Sequence, residues 1–401
     1  MNPLHSEKEF ILQCIKALVF REDLCVEESG FPEALDWDWI VRTSYDHRLL
    51  GFIAFILDKG NLLKQLDHEV QVKLNAGLRE SQLNNQLRQK QFQEVNAILS
   101  TNSIPVIPLK GLALTDLIYH DVPFREMNDI DILVKQSDVK ESFRLLAEAG
   151  FCLLETYQSK NRWHQRIYAE TDSLWDGRIL GRLAVVRDEL LLDVHFNPTY
   201  RVEEKNIDLN VAGIWQRALP CPELGSNVFT LDPKDLLRHL LIHTVDFFKP
   251  HLIQVLDTAC VIRKYNFSGS DISDQISVAP HSPTSALTAL VNAIQELMNI
   301  KQGRVDFSRE TTEVFERFFS RPLIPDETEQ ALETEDSIFG IEMFRNIKSR
   351  RKRLIFIAGY LLPNPDYYRQ KGAKFPYLIH WWELISKVWR LGRSRFSKQG
   401  F

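Results

Sequence analysis

Asn128-Asp129-Ile130-Asp131-Ile132-Leu133-Val134 sets two carboxylates two residues apart at the head of an apolar run. The polar–apolar alternation at its start predicts a strand with one polar face. Successive strand side chains point to opposite sides, so Asp129 and Asp131 share a face and their carboxylates converge. Hard oxygen ligands at that spacing suit Mg2+, which keeps several waters and bridges to substrate phosphates. Two Asp at a strand start fit a solvated sheet edge equally well, and a metal centre needs a third carboxylate from elsewhere. Asp193, within Leu190-Leu191-Leu192-Asp193-Val194-His195-Phe196, is the candidate, on an adjacent strand.

The flanking sequence builds a compact unit around these strands. Ile104-Pro105-Val106-Ile107-Pro108-Leu109 is a short apolar run ending at Lys110-Gly111. Ser137 is placed to cap a helix through Phe143, Leu145, Leu146 and Ala147, which Gly150 terminates. Leu183-Ala184-Val185-Val186 and the Leu190–Phe196 run flank Arg187-Asp188-Glu189 as a hairpin would. Residues 101–200 are therefore expected to form one α/β unit.

Either side of it the apolar period becomes helical. Ser6 and Glu9 have capping-box spacing ahead of Phe10, Ile11, Ile15, Leu18 and Val19, and a second stripe runs Val70, Leu74, Leu78, Leu87, Val95, Ile98 and Leu99. Residues 1–100 read as a helical module. Leu236, Leu237, Leu240, Leu241 and Val245 form another stripe, and Leu252, Val255, Leu256, Ala259 and Val261 a further one. Residues 201–401 read as a helical region, with Ser268 to Ser282 as a linker.

Composition narrows the class. Of 401 residues 44% are hydrophobic and 26% charged, which excludes a largely disordered chain. Lys and Arg number 49 against 54 Asp and Glu, a net charge of −5, so no global basic field gathers nucleic acid. The five cysteines, Cys14, Cys25, Cys152, Cys221 and Cys260, lack zinc-like spacing and read as reduced structural thiols. No run approaches the roughly 20 apolar residues that span a bilayer, and the N-terminus lacks a secretion signal. A cytoplasmic location is the expectation.

Several of these segments together resemble a large bacterial family of minimal nucleotidyltransferase-like proteins. The resemblance rests on Ile107-Pro108-Leu109-Lys110-Gly111-Leu112-Ala113-Leu114, Arg125, the Asn128–Val134 segment and Gly150-Phe151. It continues through Leu192-Asp193-Val194-His195, Leu240-Leu241-Ile242-His243 and Leu256-Asp257, covering roughly residues 85–265. It implies an α+β fold, a small mixed-sheet palm of the polymerase-β type flanked by N- and C-terminal helical layers. It also implies that Asp129, Asp131 and Asp193 hold Mg2+ or Mn2+ beside a nucleotide triphosphate. Lys110-Gly111 stands where many nucleotidyltransferases have Gly-Ser. Gly111 would still let backbone N–H groups approach phosphate at a helix start, and Lys110 would add a point charge there or be a surface residue in a turn.

Arg125, four residues before Asp129, is placed either to clamp phosphate with its guanidinium or to balance the two aspartates. His195 shares a strand face with Asp193 and would orient a carboxylate, serve as general base, or be structural. His239 and His243 are four apart on a helix, but without the Glu of a zinc protease motif. Matched to the family pattern, His243 and Asp257 would fix the helical region or line the nucleotide cleft.

The basic clusters at Arg345–Arg353 and Lys387–Arg395, the latter interleaved with Trp381, Trp382 and Trp389, suit either a packed terminal helix or one facing a membrane or partner. The function expected is metal-dependent transfer of a nucleoside monophosphate to an acceptor, a small molecule, peptide or protein before RNA. The rivals are a non-catalytic nucleotide-binding or scaffolding protein that keeps the palm, and a toxin-like enzyme that modifies tRNA.

Overall fold

A computed structural model of the 401-residue chain describes residues 6–22, 24, 35–119, 125–153, 182–188, 190–196, 199–202, 205–208, 211–246, 251–277, 285–299, 307–320 and 381–382. The chain divides into two compact units. One joins Met1–Gly150 to Arg187–Leu323, and the other joins Phe151–Val186 to Ile324–Phe401.

The first unit opens with four helices: α1 (Ser6–Phe20), α2 (Trp37–Asp46), α3 (Leu50–Lys59) and α4 (His68–Ser100). The expected stripe on α1 is in the core, with Phe10, Ile11, Ile15 and Val19 buried. Helix α4 is a single element of 33 residues, about 50 Å long at the usual rise. Its buried face runs Val70, Leu74, Gly77, Ser81, Asn85, Phe92 and Val95, with small and polar residues in the middle where Leu50 presses on Gly77. Leu87, expected in the stripe, lands on the solvent side beside Leu83 and is exposed.

Strand β1 (Val106–Pro108), helix α5 (Lys110–Leu117), strand β2 (Ile130–Val134) and helix α6 (Val139–Glu148) follow. Next come β3 (Cys152–Leu153), β4 (Arg182–Arg187) and β5 (Leu190–His195). Within the first unit β1 is antiparallel to β2, and β2 is parallel to β5, so the sheet is mixed. In the second unit β3 and β4 pair antiparallel. Asp188 supplies the turn between β4 and β5 at φ +53°, a left-handed conformation that Asp tolerates. All five residues of β2 are buried, so its polar face looks into the protein and not at solvent.

The rest of the first unit holds β6 (Thr199–Val202), β7 (Lys205–Asp208), α7 (Val211–Arg217), β8 (Leu219–Pro220) and β9 (Phe229–Thr230). Five more helices follow: α8 (Pro233–Asp246), α9 (Leu252–Tyr265), α10 (Gly269–Ser277), α11 (Ser285–Asn299) and α12 (Arg309–Phe319). Every residue of α9 from Leu252 to Ile262 is buried, which makes it the central helix of this layer. The fold class is α+β as the resemblance implied, helices with a small mixed sheet.

Two local readings need correction. Ser137 does not cap α6. Its hydroxyl donates to Asp138 within the 3-10 turn Gln136–Asp138, and Asp138 is the residue at the N-cap. Gly150 does end that helix, at φ +89° with its N–H on the Ala147 carbonyl. Nor is Ser268–Ser282 simply a linker, because α10 occupies much of it. Ser268 and Asp271 form a reciprocal cap: the Ser268 N–H donates to Asp271 at 3.0 Å and the Asp271 N–H to the Ser268 hydroxyl at 3.1 Å. That cap and the burial of Ile272 hold a helix in a segment whose Ser and Asp content reads as loop.

Among the described residues no helix is long and apolar enough to cross a membrane. The two C-terminal basic clusters lie outside the described residues. Of the tryptophans beside them Trp381 and Trp382 are described, and both are exposed.

Candidate functional site

The parallel register of β2 and β5 sets Asp131 directly opposite Asp193, with His195 two residues farther along β5. In a parallel pair aligned residues point to one side, and a step of two returns to it, so all three side chains share a face. His195 and Asp131 are 3% and 4% exposed, with the imidazole Nε2 2.9 Å from Asp131 Oδ1. Each of Asp131, Asp193 and His195 presents a ligand atom within 4.8 Å of the others, the geometry of a cation site. Two carboxylates and an imidazole suit Mg2+ or, because imidazole is a softer ligand, Mn2+. The residues present therefore fit the metal that the resemblance implies.

Asp129 is not a member of that group. Strand β2 starts at Ile130, so Asp129 sits in the bend before it, half-buried. Burial raises its carboxyl above the ordinary range, and the Asp131 charge adds to the effect. Asp131 behaves oppositely. Burial works to raise it, but the Lys110 ammonium and the His195 hydrogen bond outweigh burial and hold it well below the usual carboxylate range.

Lys110 arrives through the backbone. The Leu109 N–H donates to the Asp131 carbonyl at 2.9 Å, so the chain leaving β1 is pinned beside the carboxylate. Lys110 opens α5 in the left-handed region, at φ +49°, which costs a non-glycine residue about 1–2 kcal/mol. Its ammonium lies 2.6 Å from Asp131 Oδ1. Lys110 is thus paired within the cluster, its side chain only 14% exposed.

The structure gives Gly111 a packing task. A Cβ there would stand 2.4 Å from Arg125 Nη1 and 2.7 Å from Met127 Cγ. Arg125 itself grips Asp257 with both arms, Nη2 to Oδ2 at 2.6 Å and Nε to Oδ1 at 3.1 Å, while Nη1 donates to the Glu126 carbonyl. The Tyr119 hydroxyl donates to the same Asp257 at 2.9 Å. The guanidinium fork is therefore closed on α9 and does not stand open toward a phosphate. Asp257 fixes the helical layer to the loop that leads into β2, the first of the two roles that the sequence left open for it.

His239 and His243 stack with ring centroids 6.2 Å apart and planes 10° from parallel. Burial, with the Lys110 and His195 charges adding to it, pushes His239 down to about 3. His239 thus belongs to the electrostatic surroundings of the cluster. His243 is half-buried behind it, and among the described residues neither belongs to a metal group.

Sequence reasoning found Asp131, Asp193, His195 and Lys110, which the structure brings together. It missed Tyr119, whose hydroxyl donates to Asp257, and Met127, which fills the space beside Gly111. Nothing in an apolar helix end or a lone Met marks such contacts.

A family described as uncharacterised nucleotidyltransferase matches residues 33–280. No curated protein matches the chain. Among solved structures the chain is similar to an antibiotic-resistance factor, ANT(2'')-Ia, described by its substrate-regulated conformation dynamics. Identity is 11% over 48% of this chain and 91% of the other, with a TM-score of 0.33, too low to bear on site or substrate. The family match spans β2, β5 and the helices that hold them, and the chain belongs to this family of uncharacterised nucleotidyltransferases.

Proposed function

We infer that this protein transfers a nucleoside monophosphate from a nucleotide triphosphate to an acceptor other than RNA, at the Asp131–Asp193–His195 cluster. The observation that carries the reading is the parallel register that puts Asp131 opposite Asp193, with three ligand atoms within 4.8 Å. A divalent ion bound there would acidify the acceptor hydroxyl and offset charge on the departing pyrophosphate. The chain's own task is positioning. Asp131 and Asp193 would hold the ion, and Asp129, in the bend before β2, adds negative charge near them. His195 keeps Asp131 oriented through its Nε2 hydrogen bond. Lys110 supplies a positive charge 2.6 Å from Asp131, and the Arg125–Asp257 pair keeps the loop before Asp129 from shifting.

The test is release of pyrophosphate from each of the four ribonucleoside triphosphates with Mg2+ or Mn2+ and an extract as acceptor source. Labelled triphosphate then identifies what is modified. Asp193→Asn should lower the rate on the order of a thousandfold while leaving the melting temperature near that of the parent. Nucleotide binding without turnover under any metal would favour the non-catalytic reading instead.

A further inference from the structure

Asp131 Oδ1 already accepts two hydrogen-bond donors, Lys110 Nζ at 2.6 Å and His195 Nε2 at 2.9 Å. One carboxylate oxygen has two lone pairs in its plane, so a cation binding this oxygen competes with the two donors for them. The two donors differ in freedom. His195 is held in β5 by the strand register and is 3% exposed, whereas the Lys110 side chain is 14% exposed on a flexible four-carbon stem. Lys110 is the donor that can leave.

The released charge would have an immediate use. A triphosphate brings three to four negative charges, and the nearby Arg125 fork is closed on Asp257. Lys110 stands at the first residue of α5, its ammonium within the carboxylate cluster, and its contact with Asp131 is a single exchangeable one.

We propose that Lys110 is an exchangeable counter-ion: it holds Asp131 before substrate arrives, then passes from the carboxylate to the triphosphate as the metal–nucleotide complex enters. The proposal rests on the reading of Asp131 and Asp193 as the metal's carboxylates, with His195 keeping its hydrogen bond to Asp131. It makes Lys110 a substrate-contacting residue that also opposes metal binding in the nucleotide-free protein. An ammonium against the same carboxylate repels a divalent ion at close range in a poorly solvated site. Free metal then binds weakly, and the centre favours loading metal and nucleotide together.

The test measures Mn2+ binding to the nucleotide-free full-length chain by titration calorimetry and by loss of the free Mn2+ paramagnetic signal. Lys110→Gln and the equally long, uncharged Lys110→Met should each bind Mn2+ about tenfold tighter than the parent or better. Lys110→Arg, which keeps the charge, should stay near the parent. Adding Asp193→Asn to Lys110→Gln should abolish the gain. The uncharged variants should also lose affinity for a non-hydrolysable triphosphate more than for its nucleoside. Thermal melts establish that each variant is folded.

If Lys110→Gln and Lys110→Met bind Mn2+ no tighter than the parent, and Asp193→Asn still removes binding, the counter-ion role is wrong and the metal centre stands. If Mn2+ binding ignores Asp193→Asn, or is absent from every variant, the metal centre itself is wrong and this role falls with it.

Discussion

At the scale of single residues the site is a set of committed charges, and commitment makes energetic demands that can be measured. Arg125 and Asp257 are 9% and 2% exposed, so removing one strands the other in a poorly solvated interior. Asp257→Asn or Arg125→Met should each destabilise the protein by about 3–5 kcal/mol, and the double variant by much less than the sum. Urea unfolding of the four proteins checks this, and additive losses would show that the pair is not coupled. Gly111→Ala should cost about 1–3 kcal/mol, since its Cβ would meet Arg125 and Met127 and force both to shift.

His239 adds a pH dependence. Its native imidazole stays neutral down to about 3, while in the unfolded chain it takes up a proton near its ordinary value of 6.5. Between those values the unfolded state binds more protons, so the His239 contribution is complete above 6.5 and is lost as the pH falls. By pH 5 the parent should have lost about 2 kcal/mol relative to His239→Gln, measured as the difference in their unfolding free energies at pH 8 and pH 5. Of these residues Asp131 was legible because it heads an apolar run with a strand's alternation, whereas Asp129 falls in the bend before that strand. The partner of Arg125 could not be read from local sequence, since it lies 132 residues away on another helix.

At the scale of elements, legibility followed how far a pattern carries its own cause. Strand β2 and helices α8 and α9 announced themselves through period alone. Helix α10 did not, because Ser268, Ser270, Asp271, Ser273 and Asp274 are loop formers by composition. What makes the segment helical is the position of two of them, Ser268 before the first turn and Asp271 three residues on, each bonded to the other's backbone N–H. Ser268→Ala should therefore cost about 1 kcal/mol, and Asp271→Ala a similar amount, in the thermal or urea unfolding of the first unit. Equal stability of both variants with the parent would mean that burial of Ile272 alone holds the helix. Helix α4 is the opposite lesson. Its apolar residues predicted a helix correctly but misplaced the inward face around Leu87, because Gly77, Ser81 and Asn85 are buried in the stretch before it. Small residues at that spacing admit Leu50 closely, a packing choice that hydrophobicity cannot show.

At the scale of the whole molecule, charge constrains what can approach the centre. The chain carries a net charge of −5. Among the described residues several cations in and around the first unit's sheet are paired in place: Lys110 on Asp131, Arg125 on Asp257, Arg217 on Asp235 and Arg187 on Glu94. A polyanionic acceptor gains its affinity by releasing counterions as basic side chains neutralise its phosphates, and paired side chains contribute little to that release. A triphosphate is different, because its charge arrives offset by the metal it carries. Metal and triphosphate together should therefore raise the folding stability by about 2.7 kcal/mol at a hundredfold excess over Kd, where total RNA at the same nucleotide concentration should not. The same reasoning predicts the fate of label in the acceptor search. Extract treated with ribonuclease should yield as much labelled product as untreated extract, and salt between 50 and 200 mM should change the yield little. Loss of the label on ribonuclease treatment, with a steep fall in yield as salt rises, would instead identify an RNA acceptor. It would turn attention to the Arg345–Arg353 cluster, the densest run of positive charge in the sequence.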